Sequence, residues 1–270
     1  MDSDRWRVAP GAPLDLSAVP TDSAAGAPGG GDKDETKAAF GDMLDTLREA
    51  QERLWAERGQ SLLIVLQGID AGGKDGTIEH LFRGMNPVGA RVASFRVPNE
   101  EERAHDFLWR VHKQAPAKGE IVVFNRSHYE DVLVVRVHEI VPEEVWRPRF
   151  AHINAFEDNL RAAGTRIVKL FLHISKDEQA RRFQARIDEP RKRWKFRKHD
   201  LDERERWDDY QHAFAEAISE TSTRGAPWFV IPADRKWYRN WAVTRIVQET
   251  LADMDPRYPP AEDLEGVVVT

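Results

Sequence analysis

The feature that most limits what this chain can become is a nine-residue run, Gly68-Ile69-Asp70-Ala71-Gly72-Gly73-Lys74-Asp75-Gly76. It follows Ser61-Leu62-Leu63-Ile64-Val65-Leu66-Gln67, an apolar stretch of strand length, and opens a segment with helical spacing. Continuous rather than alternating apolarity predicts a strand buried on both faces, as in a parallel sheet. Strand, glycine loop, lysine and helix in that order form the context of a phosphate-binding loop. Glycines let the backbone curl so that several N–H groups converge, and the helix adds the positive end of its dipole. Lys74 would bring a full charge to the phosphate oxygens. Gly68, Gly73 and Lys74 fit G-x-x-x-x-G-K, but Asp75 stands where a Ser or Thr normally binds magnesium. The metal must then be held by another group, and Asp70 is the candidate replacement.

The rest of the chain repeats the strand-then-helix rhythm. Strands are predicted at Val92–Val97, Ile121–Phe124, Arg166–Ile174 and Trp228–Ile231. Helices are predicted around Phe40, Leu44, Leu47 and Leu54, then at Ile78–Met85, Glu100–Lys113, Glu143–Ala163, Lys176–Arg186, Asp200–Glu220 and Lys236–Met254. Alternation of this kind predicts an α/β fold: three layers, α/β/α, around a mainly parallel five-stranded sheet. One domain is expected over 36–258, with a helical insertion near 181–200 and a short tail at 259–270. Residues 1–35 are rich in Gly and Pro and poor in large apolar side chains, so a flexible arm is expected there. Trp6 and the Leu14/Leu16 pair leave room for that arm to dock on the body or on a second subunit.

Composition removes several function classes. There are no cysteines, which excludes disulfide frameworks, thiol catalysis and Cys-based metal sites. No apolar run approaches the ~20 residues of a membrane-spanning helix. The start, Met1-Asp2-Ser3-Asp4, lacks the basic and apolar regions of a secretory signal, so a soluble cytoplasmic protein is expected. A formal net charge of −6 argues against a general nucleic-acid coat protein.

Two further segments carry chemistry. Phe124-Asn125-Arg126-Ser127-His128-Tyr129-Glu130-Asp131 lies at the end of the third strand, where open α/β sheets place their ligand crevice. Nucleotide-hydrolysing relatives usually end this strand in an Asp that helps hold magnesium. Asn125 takes that place as a neutral, weaker ligand, and Arg126 beside it can neutralise a transferring phosphate. His128 reads as structural, because sequence neighbours do not make a hydrolase triad. The second segment is the run 181–198, with nine basic residues against two acidic ones, a local balance of +7. Pro190 interrupts it and Trp194 and Phe196 interleave the charges. Such a run suits a basic lid that closes over a highly charged substrate and excludes water. A solvated helix face or a single-stranded nucleic-acid surface are the competing readings.

With these segments in order, the chain resembles the polyphosphate kinase 2 family over about residues 36–255. The specific pieces are the glycine loop at 68–76, the strand-end motif at 124–131 and Arg-Ile-Asp-Glu-Pro-Arg-Lys-Arg-Trp-Lys-Phe at 186–196. The resemblance implies a P-loop kinase-like fold with a helical lid. It implies reversible phosphoryl transfer from inorganic polyphosphate to AMP and/or ADP. Asp70, Lys74, Arg126 and Arg186 would be the catalytic residues, and Gly68, Ala71, Gly72, Gly73, Asp75 and Gly76 the phosphate loop. Asn125, Glu130, Arg191, Lys195 and Asp200 would touch substrate. Magnesium, with manganese as a substitute, would be held by Asp70 and secondarily by Asn125. Glu130 stands where many ADP-only members have Asn, which points to the branch accepting AMP as well. Family members assemble as homodimers or homotetramers, so the same is expected here. The alternatives on the same residues are an ATP-dependent nucleotide kinase and a non-catalytic polyanion-binding module.

Overall fold

The computed structural model describes residues 2–263 together with Glu265 and Val269. Part of the tail expected at 259–270, and Met1 of the arm, lie outside the described residues. Five strands, β1 (Ser61–Gln67), β2 (Ala90–Ser94), β3 (Ile121–Asn125), β4 (Thr165–His173) and β5 (Trp228–Pro232), form one sheet. All its pairings are parallel and the order is β2-β3-β1-β4-β5. Every residue of β1 is buried, as its unbroken apolar run requires for the central strand. The strand order reverses at β1, which lies between β3 and β4. The crevice beyond the carboxyl ends of these three strands is the standard ligand position of an open parallel sheet.

Eight longer helices cover the sheet: α1 (Phe40–Glu57), α2 (Lys74–Phe82), α3 (Glu130–Val137), α4 (Arg149–Ala162), α5 (Lys176–Asp188), α6 (His199–Glu205), α7 (Trp207–Thr221) and α8 (Lys236–Met254). α8 packs against α1 and α2 in one layer, and α7 against α3 and α4 in the other. Leu47 and Leu54 of α1 are fully buried, and Arg58 closes that helix in the left-handed conformation.

Several predicted helices prove shorter. Glu100–Lys113 divides into Glu100–Arg103, begun by an Asn99 capping box, and Trp109–His112. Asp106 turns the chain between them by accepting from the Leu108 N–H. Glu143–Ala163 breaks ahead of Pro148, which lacks the N–H that a continuing helix needs. Asp200–Glu220 splits at Arg206, whose ψ of 20° leaves the helical region. α3 was not predicted at all, because Val-Leu-Val-Val reads equally as a strand.

Residues 2–35 run along the body. Trp6 and Leu16 are buried, with Trp6 edge-on to Tyr238 and Trp241 of α8. The Val8 N–H donates to Trp228 O at 2.9 Å, and Arg7 forms an antiparallel bridge with Phe229 of β5. Few apolar residues are present, but they fall where the sheet edge and α8 leave grooves.

A buried charged cluster anchors the strand-end motif. Lys169 of β4 donates from Nζ to Glu157 Oε2 at 2.6 Å, Tyr129 OH at 3.0 Å and Thr221 O at 2.6 Å. Tyr129 OH donates to Glu157 Oε1, and His128 Nε2 lies 3.3 Å from the same oxygen. Burial alone would raise the Glu157 carboxyl, yet Lys169 and His128 hold it below its ordinary value. The cluster joins β4, α4 and α7 to residues 128–129. It therefore fixes the backbone that leads from β3 into α3.

Candidate functional site

The glycine loop connects the end of β1 to α2. Ala71 and Gly73 both have positive φ, 63° and 104°, and this curls the loop before the helix opens at Lys74. Lys74 folds back over the loop and donates from Nζ to Gly68 O, with Ile69 O at 3.5 Å. Burial pulls its amine below the ordinary lysine value, and the Arg126 charge adds to the effect.

Arg126 follows β3 with φ 60°, a left-handed conformation that costs a non-glycine residue free energy and is concentrated at functional sites. From there its guanidinium spans two carboxylates. Nη2 donates to Asp70 Oδ1 at 3.0 Å and Nη1 to Glu130 Oε2 at 3.3 Å. Glu130 keeps its carboxyl raised through burial, against the opposing pull of Arg126 and Lys74. Asn125 Nδ2 donates to Asp75 Oδ1 at 3.3 Å, and Lys195 Nζ lies 3.8 Å from Asp75 Oδ2. Asp75, in the place of the usual hydroxyl residue, thus sits between the strand end and the lid.

Two clefts meet at this point. The first, about 830 Å³, lies over the glycine loop and under residues 181–197, with Lys236 and Arg239 of α8 completing its wall. Its lining carries ten cationic side chains and four carboxylates, although the whole chain is acidic. The second, about 590 Å³, has Glu130 and Asp200 among its polar walls and Val97, Leu133, Val134 and Phe214 as apolar ones. Asp70, Arg126, Arg186, Lys195 and Arg197 line both.

The expected lid consists of the end of α5 and the 3-10 turn Pro190–Lys195. Pro190 stops the helix, and Phe196 packs edge-on against Phe183 to hold the turn over the cleft. Arg186 donates to Lys195 O at 3.2 Å, so these two basic residues are linked to each other. Trp194 is 76% exposed and still lines the first cleft.

The structure therefore gathers Asp70, Lys74, Asn125, Arg126, Arg186 and Lys195 around the first cleft, together with Ala71, Gly72, Gly73, Asp75 and Gly76. Gly68, Glu130 and Asp200 line the second cleft only. Arg191 lines neither and is exposed on the turn.

Sequence reasoning missed two arginines. Arg182 is buried and spends all its donors inside the protein. Nε goes to Glu178 Oε1, Nη1 to Ala71 O and Gly72 O, and Nη2 to Ala233 O and Asp234 O. It clamps the glycine loop to the end of β5. Arg239 lies against Gly73 and Gly76 from the other side. A Cβ at Gly73 would fall 2.0 Å from its Nη1, so glycine is required there for space as well as for φ. The signal for Arg182 was its place in the basic run. That for Arg239 was an arginine in phase with the apolar Val243 and Ile246 of α8.

Parallel strands, a curled glycine loop capped by a lysine helix, and a basic cover define a P-loop phosphotransferase. Comparison with known proteins narrows the class. The family model of polyphosphate kinase 2 matches residues 30–259, and the chain belongs to that family. It is 52% identical over 265 residues to the AMP/ADP-polyphosphate phosphotransferase of Meiothermus ruber, covering 98% of each chain. It is 45% identical over 241 residues to the ADP-polyphosphate phosphotransferase of Rhodopseudomonas palustris, covering 83% of each. The crystal structure of polyphosphate kinase 2 from Arthrobacter aurescens TC1 superposes with a TM-score of 0.92 at 42% identity, over 96% of this chain and 92% of that one.

Proposed function

We propose that the protein transfers the terminal phosphoryl group of inorganic polyphosphate to AMP and to ADP, giving ADP and ATP. The carrying observation is the pair of clefts that share Asp70, Arg126 and Arg186. One cleft is overwhelmingly cationic and suits a chain of condensed phosphate. The other is mixed in polarity and suits a nucleotide, whose base needs apolar surface and whose phosphates need cations. The names of the close relatives support the same reading.

In this arrangement the loop N–H groups and Lys74 hold the donor, while Arg126 and Arg186 face the group in transit. An oxygen of the nucleotide's terminal phosphate attacks in line, and the P–O bond to the remaining polyphosphate breaks. The shortened polyphosphate leaves with the bonding electron pair. No protein nucleophile is needed, since phosphoryl transfer depends on positioning and charge neutralisation. Among the described residues no cluster of three or more acidic, His or Cys side chains is poised for a metal. Magnesium is usually held by one or two carboxylates plus substrate phosphates. Asp70 would hold it, since Arg126 engages only its Oδ1, and the Asn125 carbonyl could add a neutral ligand. Bound there, the ion would neutralise charge between donor and acceptor. Among the described residues no helix is long and apolar enough to cross a membrane. Assembly as a homodimer or homotetramer is part of the same proposal, on family resemblance.

The test is nucleotide profiling after incubation with AMP, magnesium and polyphosphate, beside a parallel reaction with AMP and ATP. Appearance of ADP and then ATP without any ATP supplied supports the reading. ADP formed only when ATP is present would instead make this an ATP-dependent nucleotide kinase.

A further inference from the structure

We infer that Arg239 and Lys236 of α8 form an additional phosphate station, binding a unit of the donor chain beyond the one transferred. This rests on the phosphotransfer reading and extends it. The two residues are three apart and so share a helix face. Both line the first cleft and neither lines the second. The transferring unit must lie where both clefts meet, beside Arg126 and Arg186. A cation that reaches only the first cleft therefore meets the donor elsewhere along its length.

Arg239 is 3% exposed, yet among the described residues no carboxylate pairs with it. Its Nε and Nη2 both donate to Asn240 Oδ1, at 3.1 and 2.7 Å, and among the described residues Nη1 has no hydrogen-bond acceptor. Arg182, which reaches the same Gly73, shows what a structural arginine looks like in this fold, with every nitrogen paired. A buried cation without a counter-charge is costly. Burial and the neighbouring Arg182 draw the Arg239 pKa down to about 10. Lys236 is exposed at the rim of the cleft but faces the same cations: partial burial together with Arg182, Arg239 and Lys192 lowers its amine, and only Glu178 acts the other way. The missing counter-charge is one that arrives with the ligand. Asn240 orients the guanidinium without neutralising it, and Gly73 and Gly76 leave it room against the loop.

The experiment compares full-length wild type, Arg239→Gln, Arg239→Lys and Lys236→Ala. Steady-state rates are taken with AMP and magnesium while long-chain polyphosphate or tripolyphosphate is varied, and melting is recorded without donor. The expected result is a KM for long-chain polyphosphate raised about tenfold or more in Arg239→Gln and Lys236→Ala, with the KM for AMP unchanged and partial rescue in Arg239→Lys. Tripolyphosphate should be less affected, because it is too short to fill every station. Arg239→Gln should melt no lower than wild type, since an unpaired buried charge has been removed. Unchanged KM for long-chain polyphosphate in both Arg239→Gln and Lys236→Ala would overturn the inference, as would a lowered melting point as the sole effect. If Arg239→Gln does not fold, Lys236→Ala and Arg239→Lys decide. Wild type that moves no phosphoryl group from polyphosphate would refute the phosphotransfer reading instead. Calorimetric binding of polyphosphate to the same variants would then judge this station separately.

Discussion

Arg126 and Asp70 close on each other across the junction of the two clefts, Nη2 to Oδ1 at 3.0 Å. The pair is partly open to solvent, with side chains 41% and 35% exposed. Exposed ion pairs of this kind stabilise a fold by only about 0–1 kcal/mol. On the function proposed above, its position has a reason: the guanidinium waits where the phosphoryl group would pass. Arg126→Ala should therefore cut polyphosphate-to-AMP transfer by roughly a thousandfold, with little change in melting temperature. Transfer above about a tenth of the wild-type rate would remove Arg126 from the reaction.

Lys74 carries a separate expectation. Its amine is parked on Gly68 O and Ile69 O, so in this state it bonds to the loop itself. A phosphate entering the loop would draw it across. Lys74→Met should keep the fold, measured by circular dichroism, and lose polyphosphate binding as well as turnover. Retained binding with lost turnover would place Lys74 on the transferring group alone.

On the same proposal, Glu130 would bear on acceptor choice. It lines the second cleft, is buried enough to raise its carboxyl, and holds Arg126 from the side opposite Asp70. Glu130→Asn shortens the side chain and removes the charge, which frees Nη1 of Arg126. AMP use should fall relative to ADP use, read as a ratio of kcat/KM values in one assay series. An unchanged ratio would show that acceptor length is read elsewhere in the cleft.

The parallel sheet and the two-sided burial of β1 were legible because burial leaves a direct mark on composition, whereas the order of the strands was not. The unbroken apolar run Leu62–Leu66 predicted burial on both faces, and the structure buries every residue of β1. The glycine loop was legible for the same kind of reason: a backbone that curls around an anion restricts residue choice at each step. Helix ends were less so. Asp106, Pro148 and Arg206 break predicted helices through local bonds or a missing N–H, and periodicity alone does not register them. The arginines that shape the loop were hidden by distance. Arg182 and Arg239 are 57 residues apart in sequence, and only the closing of β5 and α8 on the loop brings both beside Gly73. Trp6 and Leu16 were similarly ambiguous, because an isolated apolar residue in a glycine-rich segment docks only if a groove awaits it.

Arg182 supports a stability prediction that the basic run would not suggest. Its guanidinium satisfies four backbone carbonyls and one carboxylate in a buried setting. Lysine keeps the charge but has no planar fork, so several acceptors would lose their donors. Each buried polar group left unpaired costs about 1–3 kcal/mol. Arg182→Lys should destabilise the fold by about 3 kcal/mol in denaturant titration and weaken transfer through a loosened loop. A variant as stable as wild type would mean that water replaces the lost donors.

His80 sets a pH dependence. Burial, aided by Arg83 and Arg239, drives its imidazole from the ordinary 6.5 to about 4. Nε2 lies 3.1 Å from Thr244 Oγ1, whose own hydroxyl proton is donated to Asn240 O, so the imidazole is assigned as the donor. Between about pH 4 and 6.5 the unfolded chain binds a proton that the folded chain refuses. Stability therefore rises with pH across that window and falls as the solution is acidified. His80→Gln can keep the bond to Thr244 but has nothing to titrate. Melting temperatures of the two proteins, followed from neutral pH toward the acid end of the window, should diverge, with wild type falling faster. Parallel slopes would show that other groups carry the acid sensitivity and that His80 titrates alike in both states.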